Sequence, residues 1–180
     1  MIFRAIDIAW VVLLLVWVAG GTGNKRTARD ESSGSRAQHL LLTIVSFGLI
    51  FGLAPLHAEA RPVTGAAGFA LTLAGVVFAI WARLTIGRNW SAMVTVKESH
   101  ELVRRGPYRI VRHPIYTGIL LAMLGSAIAF GKWPGYLGFA IAVFAFKQKS
   151  LTEEQFMVEQ FGDAYVRYRA EVKALIPGVW

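Results

Sequence analysis

The stretch Ile115–Phe146, IYTGILLAMLGSAIAFGKWPGYLGFAIAVFAF, decides the fold. It holds two apolar blocks, Ile115–Gly131 and Pro134–Phe146, with only Lys132 and Trp133 between them. A link that short predicts an antiparallel helical hairpin. The second block, about 13 residues, is short for a span and by itself suits a re-entrant or buried helix. Neither block alternates apolar and polar residues as a membrane barrel strand does. Lipid offers backbone groups no water, so the helix is the economical reading.

Three further blocks precede the hairpin. Ile2–Gly21 is almost wholly apolar, with Arg4 and Asp7 near its start; His39–Leu56 and Val63–Ala82 carry no formal charge. Each is about 18–20 residues, enough to cross a hydrocarbon core of roughly 30 Å as a helix. The first block is longer than the apolar part of a signal peptide, about 7–15 residues, and reads as a span. Across the 180 residues, 55% are hydrophobic and 17% charged, against about 25% charged in a soluble domain. The expected fold is therefore all-α: a polytopic membrane bundle of about five transmembrane helices, the last two a hairpin, followed by a cytosolic helical tail. One domain, 1–180, is expected, with three N-terminal spans in 1–82 and the chemistry in 83–180.

Small residues recur at helical spacing: Gly68, Thr72, Gly75 and Ala79; Gly118, Ala122, Gly125 and Ala129; Gly135, Gly138, Ala142 and Ala145. Such stripes let helix backbones approach closely in a bilayer. They are read as packing.

Charge sets the orientation. With five spans, the first loop, third loop and tail share one side and carry 4, 7 and 5 Lys and Arg residues, while the other side has Arg4, Arg61 and Lys132. The positive-inside rule puts the richer side in the cytoplasm and the N-terminus outside. The expected setting is a bacterial inner membrane. The net charge of +8 thus marks topology and contact with anionic lipid rather than a nucleic-acid groove.

Chemically specific residues concentrate in Arg83–Gly118 and Lys147–Trp180. Pro114 is suited to the first position of the fourth helix. Free N–H groups at that helix start, with Arg109 and Arg112 just before it, form a candidate site for a carboxylate or phosphate. Gly118 would let a ligand or a neighbouring helix lie against the backbone. Glu153 and Glu154 follow the fifth block. On one continuous helix Glu154, Val158, Phe161, Tyr165 and Tyr168 would share a face, with Gly162 as its weak point. A carboxylate among aromatic rings suits a cationic ligand.

Plainer readings exist for each residue. Arg104, Arg105, Arg109 and Arg112 suit topology charges. Glu153 and Glu154 suit solvated pairs with Lys149 and Lys147. Tyr108, Tyr116, Tyr165 and Trp90 suit an interfacial belt, and His113 by itself reads as a helix cap. His39, His57 and His100 lack metal-ligand spacing, and no metal is expected. There are no cysteines, which excludes thiolate chemistry.

The order of the motifs is more specific than any one of them. Gly87–Ser91 (GRNWS), His100–Gly118 (HELVRRGPYRIVRHPIYTG), the hairpin, then EEQF from Glu153, FGDAYVRY from Phe161 and Ile176-Pro177 resemble the isoprenylcysteine carboxyl methyltransferase family of integral membrane methyltransferases. The phospholipid methyltransferases are a looser match. The resemblance implies that 83–180 is a cofactor-binding half holding S-adenosylmethionine among His113, Pro114, Tyr116, Gly118, Glu153, Glu154, Tyr165 and Tyr168, beside the anion-binding Arg112. It implies direct in-line methyl transfer to a lipophilic acceptor arriving from the bilayer, a carboxylate in the namesake enzymes. Arg169, Arg88 and Arg83 are the candidates to hold that carboxylate. The expected partners are that acceptor and membrane lipids, with no nucleic acid. Two alternatives stand beside this: an NADPH-dependent oxidoreductase of the sterol-reductase type, with Arg104-Arg105 on the 2′-phosphate, and a non-catalytic membrane protein.

Overall fold

In the computed structural model, which describes residues 1–21, 27–52, 62–90, 95–97 and 101–180, the apolar blocks are helical. The helices are α1 (Ile2–Gly21), α2 (Ser33–Phe47, continued by a π-helical stretch Gly48–Gly52), α3 (Pro62–Ile86), α4 (Pro114–Phe130), α5 (Trp133–Phe161) and α6 (Asp163–Glu171). The end of the second predicted block, 53–56, lies outside the described residues. So do His57, Arg61 and His100.

By length and composition, Ile2–Gly20 and Val63–Asn89 are apolar enough to cross a membrane, and Pro114–Phe130 is a shorter apolar helix. Ile8, Val11, Leu14, Leu15 and Val18 of α1 and Leu73, Val77 and Leu84 of α3 are exposed on the outside of the bundle. An apolar outer surface of that extent is suited to lipid. The hairpin forms as its link predicts: Gly131 ends α4 in the left-handed region at φ 63°, its N–H bonded to the Ala127 carbonyl, and α5 begins at Trp133.

One expectation needs correction. The fifth block is no separate short helix. It is the first half of α5, which runs unbroken for 29 residues and carries Glu153 and Glu154 out beyond the apolar zone. The all-helical architecture carries one small addition. Thr27–Asp30 and Thr95–Lys97 pair as a two-stranded antiparallel sheet, β1 and β2. That pairing ties the first loop to the third. The tail joins them: Arg112 N–H donates to the Lys173 carbonyl at 2.8 Å and His113 N–H to that of Ala174 at 3.0 Å. The three basic segments assigned to one side by charge therefore meet at one end of the bundle.

The small-residue stripes of α3 and α4 interlock. A Cβ added to Gly118 would stand 2.6 Å from the Ala79 nitrogen, and one on Gly68 would stand 2.6 Å from the Gly125 carbonyl oxygen. Real side chains do not come that close, so the two backbones touch. Polar groups join the same seam. Trp10 of α1 donates its indole N–H to Ser126 Oγ at 3.0 Å, and Thr72 bonds the Gly68 carbonyl at 2.9 Å. Gly138 of the third stripe closes on the Ser46 carbonyl of α2. Buried Arg83 donates to the Gly20 carbonyl and, at 3.0 Å, to that of Gly87. It fastens the end of α1 to the end of α3.

Overpacking a close seam costs about 1–3 kcal/mol, and each kcal/mol lowers the melting midpoint by about 2–4 °C in a chain of this size. Gly125→Leu is expected to melt several degrees below wild type in detergent. Gly34→Ala, whose Cβ meets nothing within 4 Å, is expected to melt at or slightly above it. Equal midpoints for all three proteins would contradict the α3–α4 backbone contact.

Candidate functional site

Two short turns build the site's walls. After α3, Gly87 takes a positive φ of 57° and Gly87–Asn89 form a 3-10 turn. The turn brings Asn89 and Trp90 inward, each 9% exposed. Further on, Gly106 at φ 58° starts a second 3-10 turn, Gly106–Arg109, which buries Pro107 and Tyr108. The chain then reaches His113 and Pro114, the first residue of α4.

Between these turns, α5 and α6 lies a narrow cleft of about 80 Å³, open at its mouth. Arg112, His113, Pro114, Tyr116, Glu153, Tyr165 and Tyr168 all line it. Seven of the residues singled out in the sequence thus meet at one surface. Glu154 stands behind them, 5% exposed. Its Oε1 accepts from Arg112 Nε at 2.9 Å, Arg112 Nη2 at 2.6 Å and His113 Nε2 at 3.1 Å. Its Oε2 is 3.2 Å from Arg169 Nε.

His113 holds the N-cap position of α4, but not as a capping side chain. Its side chain makes no capping bond; the ring lies between the two carboxylates instead. Nε2 faces Glu154 and Nδ1 sits 3.4 Å from Glu153 Oε2. A neutral imidazole would aim a lone pair at one of those oxygens, so the arrangement calls for the cation. Burial alone would push the imidazole down, but the bonds to Glu153 and Glu154 outweigh it and hold it above its ordinary 6.5. Burial likewise opposes ionisation of both glutamates, yet His113, Tyr116 and Arg112 hold them below the ordinary carboxylate range. Tyr116 stacks on His113, ring centres 5.3 Å apart, and donates to Glu153 Oε2 at 2.7 Å. Three cations, Arg112, His113 and Arg169, therefore surround two carboxylates. Lys149, attracted to Glu153, adds a further positive charge nearby.

Glu154 thus pairs with Arg112, His113 and Arg169 and Glu153 with His113 and Tyr116, and of the lysines that the sequence offered Lys149 also attracts Glu153. Lys147 lies over the Trp180 ring and Lys149 over Tyr116. Nor are Tyr108, Tyr165 and Trp90 belt residues, since all are buried. Burial pushes the Tyr165 hydroxyl up and that of Tyr168 to about 12, so this wall stays neutral. The single helical face from Glu154 to Tyr168 does not exist. Gly162, at φ 51°, ends α5, and α6 turns back to bury Tyr165 and Tyr168 beside Met157. Tyr168 is pinned there by donating to the Tyr108 carbonyl at 2.5 Å.

The other named residues lie off the cleft. Gly118 faces α3. Arg83 is occupied by the carbonyls at the α1 and α3 ends, with Trp90 4.4 Å away, and Arg88 and Arg109 are exposed. Arg169 is half-exposed beside Glu154. Arg104 pairs with Glu171 and lies over the Tyr168 ring. Among the described residues no cluster of His, Asp and Glu has the makings of a metal site. The sequence reading assigned no role to Asn89, Ile86, Leu102 or Met157, all lining the cleft. For Asn89 the signal was its place in GRNWS.

Residues 63–164 match the family model for phospholipid methyltransferases. The chain is 36% identical over 99 residues to the protein-S-isoprenylcysteine O-methyltransferase of Schizosaccharomyces pombe, covering 53% of this chain and 42% of that one. It is 30% identical over 115 residues to protein-S-isoprenylcysteine O-methyltransferase B of Arabidopsis thaliana, covering 62% and 58%. The chain therefore spans about half the length of these curated relatives. A solved eukaryotic intramembrane Ras methyltransferase, the isoprenylcysteine carboxyl methyltransferase, superposes with a TM-score of 0.63 at 24% identity, over 83% of this chain and 54% of that one. The fold is that of an intramembrane helical protein, and with more than half of its length inside the family model the chain belongs to the phospholipid methyltransferase family.

Proposed function

We propose that this protein is a membrane-embedded methyltransferase that uses S-adenosylmethionine to methylate a lipophilic acceptor, a carboxylate of the isoprenylcysteine type. The observation that carries this reading is the cationic cluster set into a cleft with neutral aromatic walls. Its residues suit the cofactor's parts. Arg112, His113 and the start of α4 would take the carboxylate, and Glu153 the ammonium or ribose hydroxyls. The rings of Tyr108, Tyr165 and Tyr168 would face the sulfonium. Bound there, the cofactor supplies an activated methyl group.

The chain's own part is alignment and exclusion of water. Holding two reactants in line is worth roughly 7–11 kcal/mol, and a dry apolar site strengthens each charge interaction. No residue needs to act as nucleophile. Among the arginines named for the acceptor, Arg169 is the one beside the glutamates, and it is the candidate to orient an acceptor carboxylate. The basic end of the bundle, where β1, β2 and the tail meet, is assigned to the cytoplasm by the positive-inside rule. The acceptor tail would arrive from the lipid side, and the isoprenylcysteine methyltransferases among the relatives support a carboxylate acceptor.

Titration calorimetry of the purified protein with S-adenosylhomocysteine is expected to show micromolar binding, and no heat at high micromolar ligand would defeat the proposal. Glu153→Gln, which removes one cleft carboxylate, is expected to weaken binding about tenfold, the size of one charge-assisted hydrogen bond. Glu154→Ala is expected to do more harm. It strands Arg112 and His113 without their counter-charge, a loss of about 3–5 kcal/mol for a buried pair, visible as a lowered melting midpoint.

The pH dependence has a definite sign. His113 is held above 6.5, so its cation, and the anion affinity it supplies, is complete below about pH 6.5. That affinity is lost as the pH rises through the elevated value. Binding of S-adenosylhomocysteine should weaken toward alkaline pH with a slope that His113→Gln lacks. Parallel profiles for the two proteins would remove His113 from the anion site.

A further inference from the structure

Among the described residues, Asn89 is the cleft residue whose buried side chain has an unmet demand. It is 9% exposed, it lines the cleft, and among the described residues its Oδ1 has no hydrogen-bond partner. A buried carbonyl left unpaired costs about 1–3 kcal/mol. The backbone does not leave it there by looseness. Gly87 at φ 57° sets the turn, and the Trp90 N–H closes it on the Gly87 carbonyl at 3.2 Å. The turn's backbone, and with it the place from which the Asn89 side chain starts, is thus set before any ligand arrives.

The rest of the cleft indicates what donor it awaits. Arg112, His113, Glu153 and Tyr116 satisfy one another and make one part of the cleft ionic. On the side of the Asn89 turn, Trp90 and Tyr108 pack with Ile86 and Val103, a neutral and largely apolar group that lines the cleft with Asn89. An ammonium would go to a carboxylate, Glu153 or Glu101, before a neutral amide. The ribose hydroxyls have the same stronger acceptors. The neutral N–H donor that S-adenosylmethionine has to offer is the exocyclic amine of its adenine ring, and a flat base suits apolar walls.

We infer that Asn89 is a specificity-determining residue: its side-chain carbonyl accepts a hydrogen bond from the adenine amine, so the base lies beside Ile86 and Trp90 while the amino-acid end lies at Arg112 and His113. This inference rests on the proposed cofactor. A site built to bond an N–H discriminates against a ligand that lacks it.

The test compares S-adenosylhomocysteine with its 6-deamino analogue, the purine riboside, by calorimetry on the full-length protein in detergent. Wild type is expected to prefer the amine by about tenfold or more. Asn89→Leu is expected to abolish that preference by losing affinity for the adenosyl ligand alone. Asn89→Asp, which keeps the acceptor, is expected to retain it and shows that the effect is not one of folding. A preference that survives in Asn89→Leu, an equal loss for both ligands, or no preference in wild type would each overturn the inference while leaving the methyltransferase reading intact. Wild type that binds neither ligand would overturn both.

Discussion

Glu154 is the group on which the site's geometry depends. A buried carboxylate is costly to take out of water unless donors replace the water, and this one gathers Arg112, His113 and Arg169 around its two oxygens. Those partners come from the segment before α4 and from α6, while Glu154 belongs to α5. Arg112 extends the tie, since its third nitrogen donates to the carbonyls of Arg169 and Val172. One side chain therefore fixes how α6 and the tail close over the end of the bundle. The same contacts fix the protonated state of His113, and with it the sign of the charge presented to the cleft.

That charged knot is affordable only at the edge of the bilayer. Deeper in, the chain uses a different device. Gly68, Gly75, Gly118 and Gly125 bring α3 and α4 into backbone contact, and the polar groups there are hydroxyls and an indole, each already bonded. Helices of comparable apolarity gain little hydrophobic energy from touching one another in lipid, so close van der Waals contact must supply it. The seam holds α4 rigidly upright, and Pro114 begins α4 where the turns end. The helix start and the cluster around it are thereby placed at a fixed height.

Much of this was legible in the sequence because it is local. Apolar runs, stripes at helical spacing, the two-residue link before Pro134 and proline after His113 each depend on neighbours in the chain, and these gave the helices and the hairpin, though not the length of α5. What escaped was non-local. His113 viewed with its neighbours is a cap residue; its ring finds Glu153 and Glu154 some forty positions on. The tail's pairing with Arg112 and His113 uses backbone groups that any sequence has, so no residue type announces it. The same holds for β1 and β2. Gly162 was visible as a weak point, but only the structure shows that the break brings Tyr165 and Tyr168 back to the cleft rather than losing them. Asn89 stood in the GRNWS motif without a role of its own for a related reason. An unpaired carbonyl is defined by what does not surround it.

The position of the cluster bears on which reactants such a site can serve. The apolar part of α5 ends near Phe146, and Glu153 follows two turns later on the same helix, about 10 Å along its axis at 1.5 Å per residue. A cleft at that height can be reached by a water-soluble, charged cofactor from one side and by a group tethered to a lipid tail from the other. A deeper site would force the cofactor's charges into hydrocarbon. A more distant one would require the acceptor to leave the bilayer. The length of α5 beyond the apolar zone thus sets how far Glu153 and Glu154 stand from the apolar half of the helix, which runs on without a break through Phe161.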